Sequence, residues 1–170
     1  MSDLGVALTL RPATDRDREF LLAVYSSTRL EELAVVPWTD EQLAAFLRMQ
    51  FNAQDTEYHR LNPDARFDVV EVGGRRAGRL YVDRRPDTIR ILDIALLPRF
   101  RGQGLGERLI RPLLEEAAAS GRTVSIHVEV TNRAEHLYRR LGFVMVEDGD
   151  VYRRMEWPAT TPSDQAKAAS

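Results

Sequence analysis

The chain has 170 residues, 44% of them apolar, with a formal net charge of −2 and no cysteine. That length suits one domain with a sizeable core and is too short for two ordinary ones. The slight acidity gives no electrostatic case for a nucleic-acid partner, and the lack of thiols excludes disulfides, cysteine metal sites and an acyl-thioester on the protein itself.

No apolar run approaches the ~18 residues that span a bilayer. The start, Met1-Ser2-Asp3-Leu4, lacks the basic and apolar parts of a signal peptide, so a cytoplasmic protein away from the membrane is expected. Val6, Leu8 and Leu10 alternate with smaller or polar residues up to Pro12, which predicts a first strand. Thr14, with Asp15 and Asp17 behind it, opens a helix whose apolar face carries Phe20, Leu21 and Val24. Pro37-Trp38 interrupts. Thr39 and Gln42 then form a capping box before a second helix carrying Leu43, Phe46, Leu47 and Phe51.

Phe67 to Val72 and Ala77 to Val82 flank Gly73-Gly74, a hairpin turn. After a further turn at Arg84-Arg85-Pro86-Asp87, Ile89 to Leu96 reads as a more central strand because it is almost continuously apolar. Leu105, Leu109, Leu113 and Ala117 define the next helix, which Gly121 stops and in which Pro112 predicts a bend. Thr123 to Val130 is a strand, Arg133 to Leu141 a short helix, and Phe143 to Val146 with Val151 to Trp157 a last hairpin. Residues 158–170 lack apolar periodicity and are expected to be a disordered tail, leaving 5–157 as the domain. The order is strand, two helices, three strands, helix, strand, helix, two strands. This is a mixed α/β (α+β) sheet with helices on its faces.

The segment Arg101-Gly102-Gln103-Gly104-Leu105-Gly106 joins the central strand to the third helix. Its glycines allow close backbone approach, the first amides of a helix have no intrahelical partner, and Arg101 adds a positive charge. Together they favour an anion, above all a phosphate on a cofactor. A Walker-type loop would need Lys and Ser/Thr where Glu107-Arg108 stand. A dinucleotide fingerprint would need a glycine at 107, and the 64 residues from Glu107 to Ser170 are too few to complete that fold. A glycine-rich turn without a ligand is the remaining alternative.

A second motif weighs against that alternative. Asn132-x-Ala134-x-x-Leu137-Tyr138-x-x-Leu141-Gly142-Phe143 follows one helix and one strand later. With both motifs in place, the chain resembles the GNAT superfamily of acyl-CoA-dependent N-acyltransferases, whose element order also matches from about residue 5 to Trp157. The resemblance implies a sheet splayed between its fourth and fifth strands, acetyl-CoA as cosubstrate, a primary amine as acceptor, and a homodimer as a common assembly. It implies that Ile94, Ala95 and Leu96 pair with the pantetheine arm through their backbone. Arg101, Gly102, Gln103, Gly104, Leu105 and Gly106, with Glu107, would wrap the pyrophosphate, Asn132 would hold the pantetheine, and Tyr138 would lie near the thioester sulfur.

The chemistry agrees with those roles. Amine attack on a thioester builds negative charge on the carbonyl oxygen, which an N–H near Leu96 could stabilise, and then on the departing sulfur, which the Tyr138 hydroxyl could protonate. The alternative readings are a helix cap for Asn132, which is compatible with holding the pantetheine, and a packing residue for Tyr138, which the flanking motif disfavours. An amine of pKa ~10.4 must also lose about 3.4 units' worth of proton affinity at pH 7, roughly 4.6 kcal/mol. Asp93 and Glu129 are the candidate bases, against a structural ion pair for the first and solvent exposure for the second.

His59, His127 and His136 share no metal-ligand spacing, so no metal is expected. The arginines at 75, 76, 79, 84 and 85 are read as a solvated hairpin surface. Glu31, Glu32, Trp38, Asp40, Asp148 and Asp150 lie where similar proteins shape the acceptor site, and their acidity would suit a cationic amine. Direct transfer in a ternary complex follows from the lack of a cysteine. A non-catalytic CoA-binding or regulatory module is the alternative, and an interaction protein that merely keeps the fold is a third.

Overall fold

Local capping decides where the first helices begin. In the computed structural model, which describes residues 6–130 and 132–158, Thr14 opens a 3-10 turn over Asp15–Asp17 that runs into helix α1, Arg18–Leu33. Thr39 Oγ1 accepts from Gln42 N–H at 3.1 Å while Gln42 Oε1 accepts from Thr39 N–H at 2.9 Å. This reciprocal pair satisfies two otherwise orphaned donors and starts α2, Asp40–Leu61.

The strands are β1 (Leu8–Pro12), β2 (Arg66–Val72), β3 (Arg75–Arg84), β4 (Thr88–Leu96), β5 (Thr123–Glu129), β6 (Val144–Asp148) and β7 (Tyr152–Trp157). Helix α3 spans Leu105–Ser120 and α4 spans Glu135–Arg140. The element order is the expected one, and the seven-stranded mixed sheet runs β1-β2-β3-β4-β5-β7-β6. Gly73 and Gly74 both have positive φ (57° and 80°), as a two-residue turn between β2 and β3 requires. Element bounds differ from the sequence reading in several places. The first strand starts at Leu8, the last helix starts at Glu135, and a 3-10 turn at Pro98–Phe100 precedes the glycine segment. The expected tail from residue 159 on, and residue 5, lie outside the described residues. No helix among those described is long and apolar enough to cross a membrane.

The chain divides into two compact units, Met1–Asp83 with Leu92–Gln103, and Arg84–Ile91 with Gly104–Ser170. In the first, Leu21 and Tyr25 of α1, Leu47 and Phe51 of α2 and Val69 of β2 form an apolar core. Beside it Asp17, only 2% exposed, accepts from Arg11 (2.9 and 2.8 Å), from Arg76 (3.4 Å) and from Thr14 N–H (2.9 Å).

The Arg11 guanidinium above all, helped by Thr14 and Arg76 and opposed by burial, holds the Asp17 carboxyl well below its ordinary 3.8. A depressed folded pKa gives stability that is complete above the unfolded value and is lost as the pH falls through the folded one. Asp17→Asn is therefore expected to cost about 1–2 kcal/mol at pH 7, discounted because Arg11 is partly solvated. The difference from wild type should shrink as the pH is lowered below about 3.8, where wild type loses the same interaction. Urea titrations between pH 2 and 7 measure both.

In the second unit, Leu105, Leu109, Ile110, Leu113, Leu114 and Ala117 are the buried stripe of α3. That stripe includes all four positions the helical spacing marked. Gly121 closes the helix at φ 66°, and Pro112 lies inside it. Helix α3 lies against β5, whose Val124, Ile126 and Val128 are buried on one face, while Ser125, itself buried, His127 and Glu129 occupy the other. Strands β4 and β5 pair in parallel over Thr88↔Thr123, Ile89↔Val124, Arg90↔Ser125 and Ile91↔Ile126. The ladder ends there, although each strand continues beyond it.

Candidate active site

The end of β4 is shaped by what β3 lacks. A Cβ built on Gly78 would stand 2.1 Å from the Ala95 carbonyl oxygen and 3.0 Å from Leu96 Cα, so only glycine permits this approach. Ala77 O accepts from Leu97 N–H at 2.8 Å. Backbone polar groups alternate in direction along a strand, so Ala95 and Leu97 face β3 while Ile94 and Leu96 turn their N–H and C=O the other way. Arg101 folds back onto this edge: its Nε donates to Leu96 O at 2.9 Å and its Nη2 to Ser27 Oγ at 3.3 Å. The guanidinium thus ties the glycine segment to β4 and α1, a role that the reading of Arg101 as a pyrophosphate contact did not include. Gln103 similarly donates to Arg99 O at 2.9 Å.

The glycines of the segment divide into two kinds. Gly102 and Gly104 have φ of 73° and 76°, and the space where a Cβ would stand is open at both. Gly104 is the N-cap of α3, and the first helical bond runs from Arg108 N–H to Gly104 O at 3.2 Å. The amides of Leu105, Gly106 and Glu107 precede that bond and lie outside the helical ladder. This is an open cradle of main-chain donors at the positive end of a 16-residue helix, and it fits a diphosphate. Gly106 differs. Its Cβ would meet Leu137 Cδ2 at 3.1 Å, so this glycine makes room for α4 as well. The Glu107 carboxylate pairs with Arg111 one turn on, which leaves its main-chain N–H as the group suited to an anion.

Asp93 is engaged. Its Oδ2 lies 2.5 Å from Nη2 of Arg79, a residue only 2% exposed, and accepts from Tyr58 Oη at 3.3 Å. Gln54 Oε1 takes a second bond from Arg79 Nη2 at 3.0 Å, and the guanidinium lies over the Tyr81 ring at 5.0 Å. Burial works against the Arg79 charge, and the Asp93 carboxylate raises its pKa above the ordinary value. The structure therefore supplies the ion pair that was the alternative to a catalytic Asp93. It also corrects the reading of Arg79 as solvated. Arg75 is exposed, and Arg76 and Arg84 bond to Asp17 and Glu116, whereas Arg79 belongs to the buried run Ala77–Asp83 of β3. An arginine and a glycine inside an otherwise apolar strand were the signals in the sequence for this cluster and for the close approach at Gly78.

In the second unit, Glu129 is partly buried at the end of β5, opposite Tyr152. Asn132 Oδ1 accepts from Ala134 N–H at 2.9 Å, so this side chain caps the turn into α4 and explains the late start of that helix. Tyr138 is 3% exposed on α4, edge-on to Phe143 with ring centroids 5.8 Å apart, and its carbonyl accepts from Phe143 N–H at 3.0 Å. The acidic residues expected to form an acceptor surface are partly neutralised. Glu32 pairs with Arg29 at 3.4 Å and Asp148 with Arg153 at 3.0 Å, while the Trp38 ring lies tilted against Phe46 with centroids 4.9 Å apart.

Known proteins agree with this architecture. The chain is 38% identical over 93 residues to a Bacillus subtilis (strain 168) protein named as a candidate alanine N-acetyltransferase of ribosomal protein bS18, a match covering 52% of this chain and 62% of that one. It is 32% identical over 130 residues to an uncharacterised N-acetyltransferase of Methanocaldococcus jannaschii, covering 62% and 58%. The chain thus spans about three fifths of the length of the curated relatives it matches. Its fold is similar to that of the PaiA N-acetyltransferase of Thermoplasma acidophilum, crystallised with coenzyme A. The TM-score is 0.66 at 16% identity, covering 88% of this chain and 98% of that one. The model of the acetyltransferase (GNAT) family matches residues 23–143, which include both the glycine segment and Tyr138. That match spans more than half of the chain, and this chain belongs to the acetyltransferase (GNAT) family.

Proposed function

We propose that the protein is a cytoplasmic N-acetyltransferase that moves the acetyl group of acetyl-CoA directly to a primary amine. The observation that carries this reading is the cradle at Gly102 and Gly104, open where side chains would stand and leading into the free amides of α3. Acetyl-CoA would supply the activated acyl group. Leu105, Gly106 and Glu107 would bind its diphosphate through main-chain N–H groups, with Gly102 and Gln103 completing the turn. The outward edge of β4 at Ile94 and Leu96 would align its pantetheine as an added strand, with Ala95 holding that edge on β3.

The Leu96 N–H is the proposed donor to the acetyl carbonyl oxygen, where negative charge develops as the amine attacks. Tyr138 is the proposed acid for the departing sulfur, and its burial keeps the hydroxyl in a water-poor setting. Asn132 would shape the pocket by fixing the turn before α4. Glu129 is the proposed base for the amine proton, because Asp93 is held by Arg79. The similarity to the Bacillus subtilis protein makes a peptide with an N-terminal alanine one acceptor to try, alongside small amines.

Calorimetry with coenzyme A and a CoA-release assay over an amine panel test the reading. No binding heat at millimolar coenzyme A would overturn it. Tyr138→Phe keeps the ring that packs on Phe143 and removes only the hydroxyl. Its kcat should fall roughly 10²-fold while KM for acetyl-CoA stays near the wild-type value. Binding without turnover on any amine would instead favour a CoA-binding regulatory module.

A further inference from the structure

We infer that Arg90, Ser125 and His127 form an oxyanion site on the sheet of the second unit, and that it takes the carboxylate or phosphate of the molecule carrying the acceptor amine. Ile89, Ile91, Val124, Ile126 and Val128 are buried on one face of β4 and β5. The intervening residues Arg90, Ser125 and His127 therefore share the other face. The parallel register sets Arg90 beside Ser125, with His127 two residues further along β5.

Arg90 stands apart from the other arginines. Among the described residues it is the partly buried arginine that makes no hydrogen bond or ion pair; Arg11, Arg29, Arg79, Arg122, Arg153 and Arg154 are all paired. A half-buried guanidinium without a counter-ion is costly unless something supplies one. Ser125 is 8% exposed, and its hydroxyl likewise makes no hydrogen bond among the described residues.

The carboxylates of the same face do not fill the gap. Arg154, opposite His127, holds Glu147 at 3.3 Å and Glu156 at 2.5 Å, and Glu129 lies two residues beyond His127. Desolvation, then Arg90 and Arg154, lower the His127 pKa below its ordinary 6.5, with Glu147 opposing them. What remains is a guanidinium fork, a hydroxyl and an imidazole that a neighbouring negative charge would protonate. This donor set matches a carboxylate or phosphate better than an ammonium ion. An acidic group held here would also offset the cationic surroundings that disfavour an ammonium ion nearby. The assignment to the acceptor rests on the transfer reaction proposed above; the oxyanion site itself does not.

The test has two arms. In the first, the His127 ring is titrated by NMR with acetate and with inorganic phosphate, in wild type and in Arg90→Gln. An oxyanion bound beside the ring should raise its pKa by about half a unit or more. Whichever of acetate and phosphate acts at the lower concentration identifies the group. In Arg90→Gln the ring should start from a higher pKa and respond to neither anion. A ring that ignores both anions in wild type, or responds equally in the variant, overturns the site.

In the second arm, kcat/KM is compared for alanine against alaninamide and for phosphoethanolamine against ethanolamine. The acidic member of at least one pair should lead by about tenfold or more, and Arg90→Gln should abolish the lead. Equal rates within both pairs overturn the acceptor assignment while leaving acetyl transfer intact. An NMR response with no CoA release from any amine keeps the oxyanion site and removes the transfer reading instead.

Discussion

Replacing Asp93 with alanine is expected to destabilise the protein by about 3–4 kcal/mol, because it strands a buried guanidinium. Arg79 lies on β3 at 2% exposure and faces one carboxylate, one amide oxygen and the Tyr81 ring, while its Nε makes no hydrogen bond. Removing the carboxylate leaves a charge that neither Gln54 nor the ring can neutralise. The paired replacement Arg79→Met with Asp93→Leu should recover most of the loss, since an apolar pair of similar volume no longer requires the desolvation of two charges. Urea denaturation of the two single variants and the double variant measures this directly. The experiment also separates the two meanings that Asp93 had in the sequence. If Asp93 holds Arg79, then Asp93→Asn loses turnover only as far as it loses folded protein, and the pH profile of kcat/KM keeps its shape. Should the acid limb of that profile vanish in a fully folded Asp93→Asn sample, Asp93 is the base and Glu129 is not.

The contrast between what could and could not be read in the sequence has a physical origin. Helix starts and turns depend on a few adjacent residues, so Thr39 with Gln42, Gly73-Gly74 and the stripe from Leu105 to Ala117 mark their elements directly. The glycine segment was legible for the same reason, since positive φ at 102 and 104 is a local demand. Partners distant in sequence were not legible. Arg79 appeared as one of a run of hairpin arginines because its partners sit at 54 and 93. The bonds of Arg101 to the Leu96 carbonyl and Ser27 could not be read, because only folding brings those groups to it. The 3-10 turn at Pro98–Phe100 carries no periodicity at all. Of the two readings of Asn132, the cap is the local one: its Oδ1 accepts from Ala134 N–H two residues on.

Gly78→Ala is expected to raise the KM for acetyl-CoA at least about tenfold and to cost roughly 2–3 kcal/mol of stability. The added methyl would lie 2.1 Å from the Ala95 carbonyl oxygen, with the Ala95 carbonyl carbon and Leu96 Cα each at 3.0 Å. Every one of those atoms is main chain, so no side-chain rotation relieves the contact. Either β3 recedes or the end of β4 is pushed away by nearly an ångström. The second displacement moves the N–H and C=O groups of Ile94 and Leu96, the edge proposed to align the pantetheine, and with it the Leu96 donor to the reacting carbonyl. It also strains the bond from Arg101 Nε to Leu96 O, which ties that edge to the cradle segment. A stability loss alone would not show this, so Gly74→Ala serves as the control. Gly74 has φ 80° with nothing near its Cβ, and its replacement strains only the β2–β3 turn. Both variants should unfold more easily than wild type, and only Gly78→Ala should weaken coenzyme A binding in calorimetry below the melting range. If Gly78→Ala binds coenzyme A as tightly as Gly74→Ala does, the edge of β4 is not what holds the cosubstrate, and the alignment of Ile94 and Leu96 falls with it.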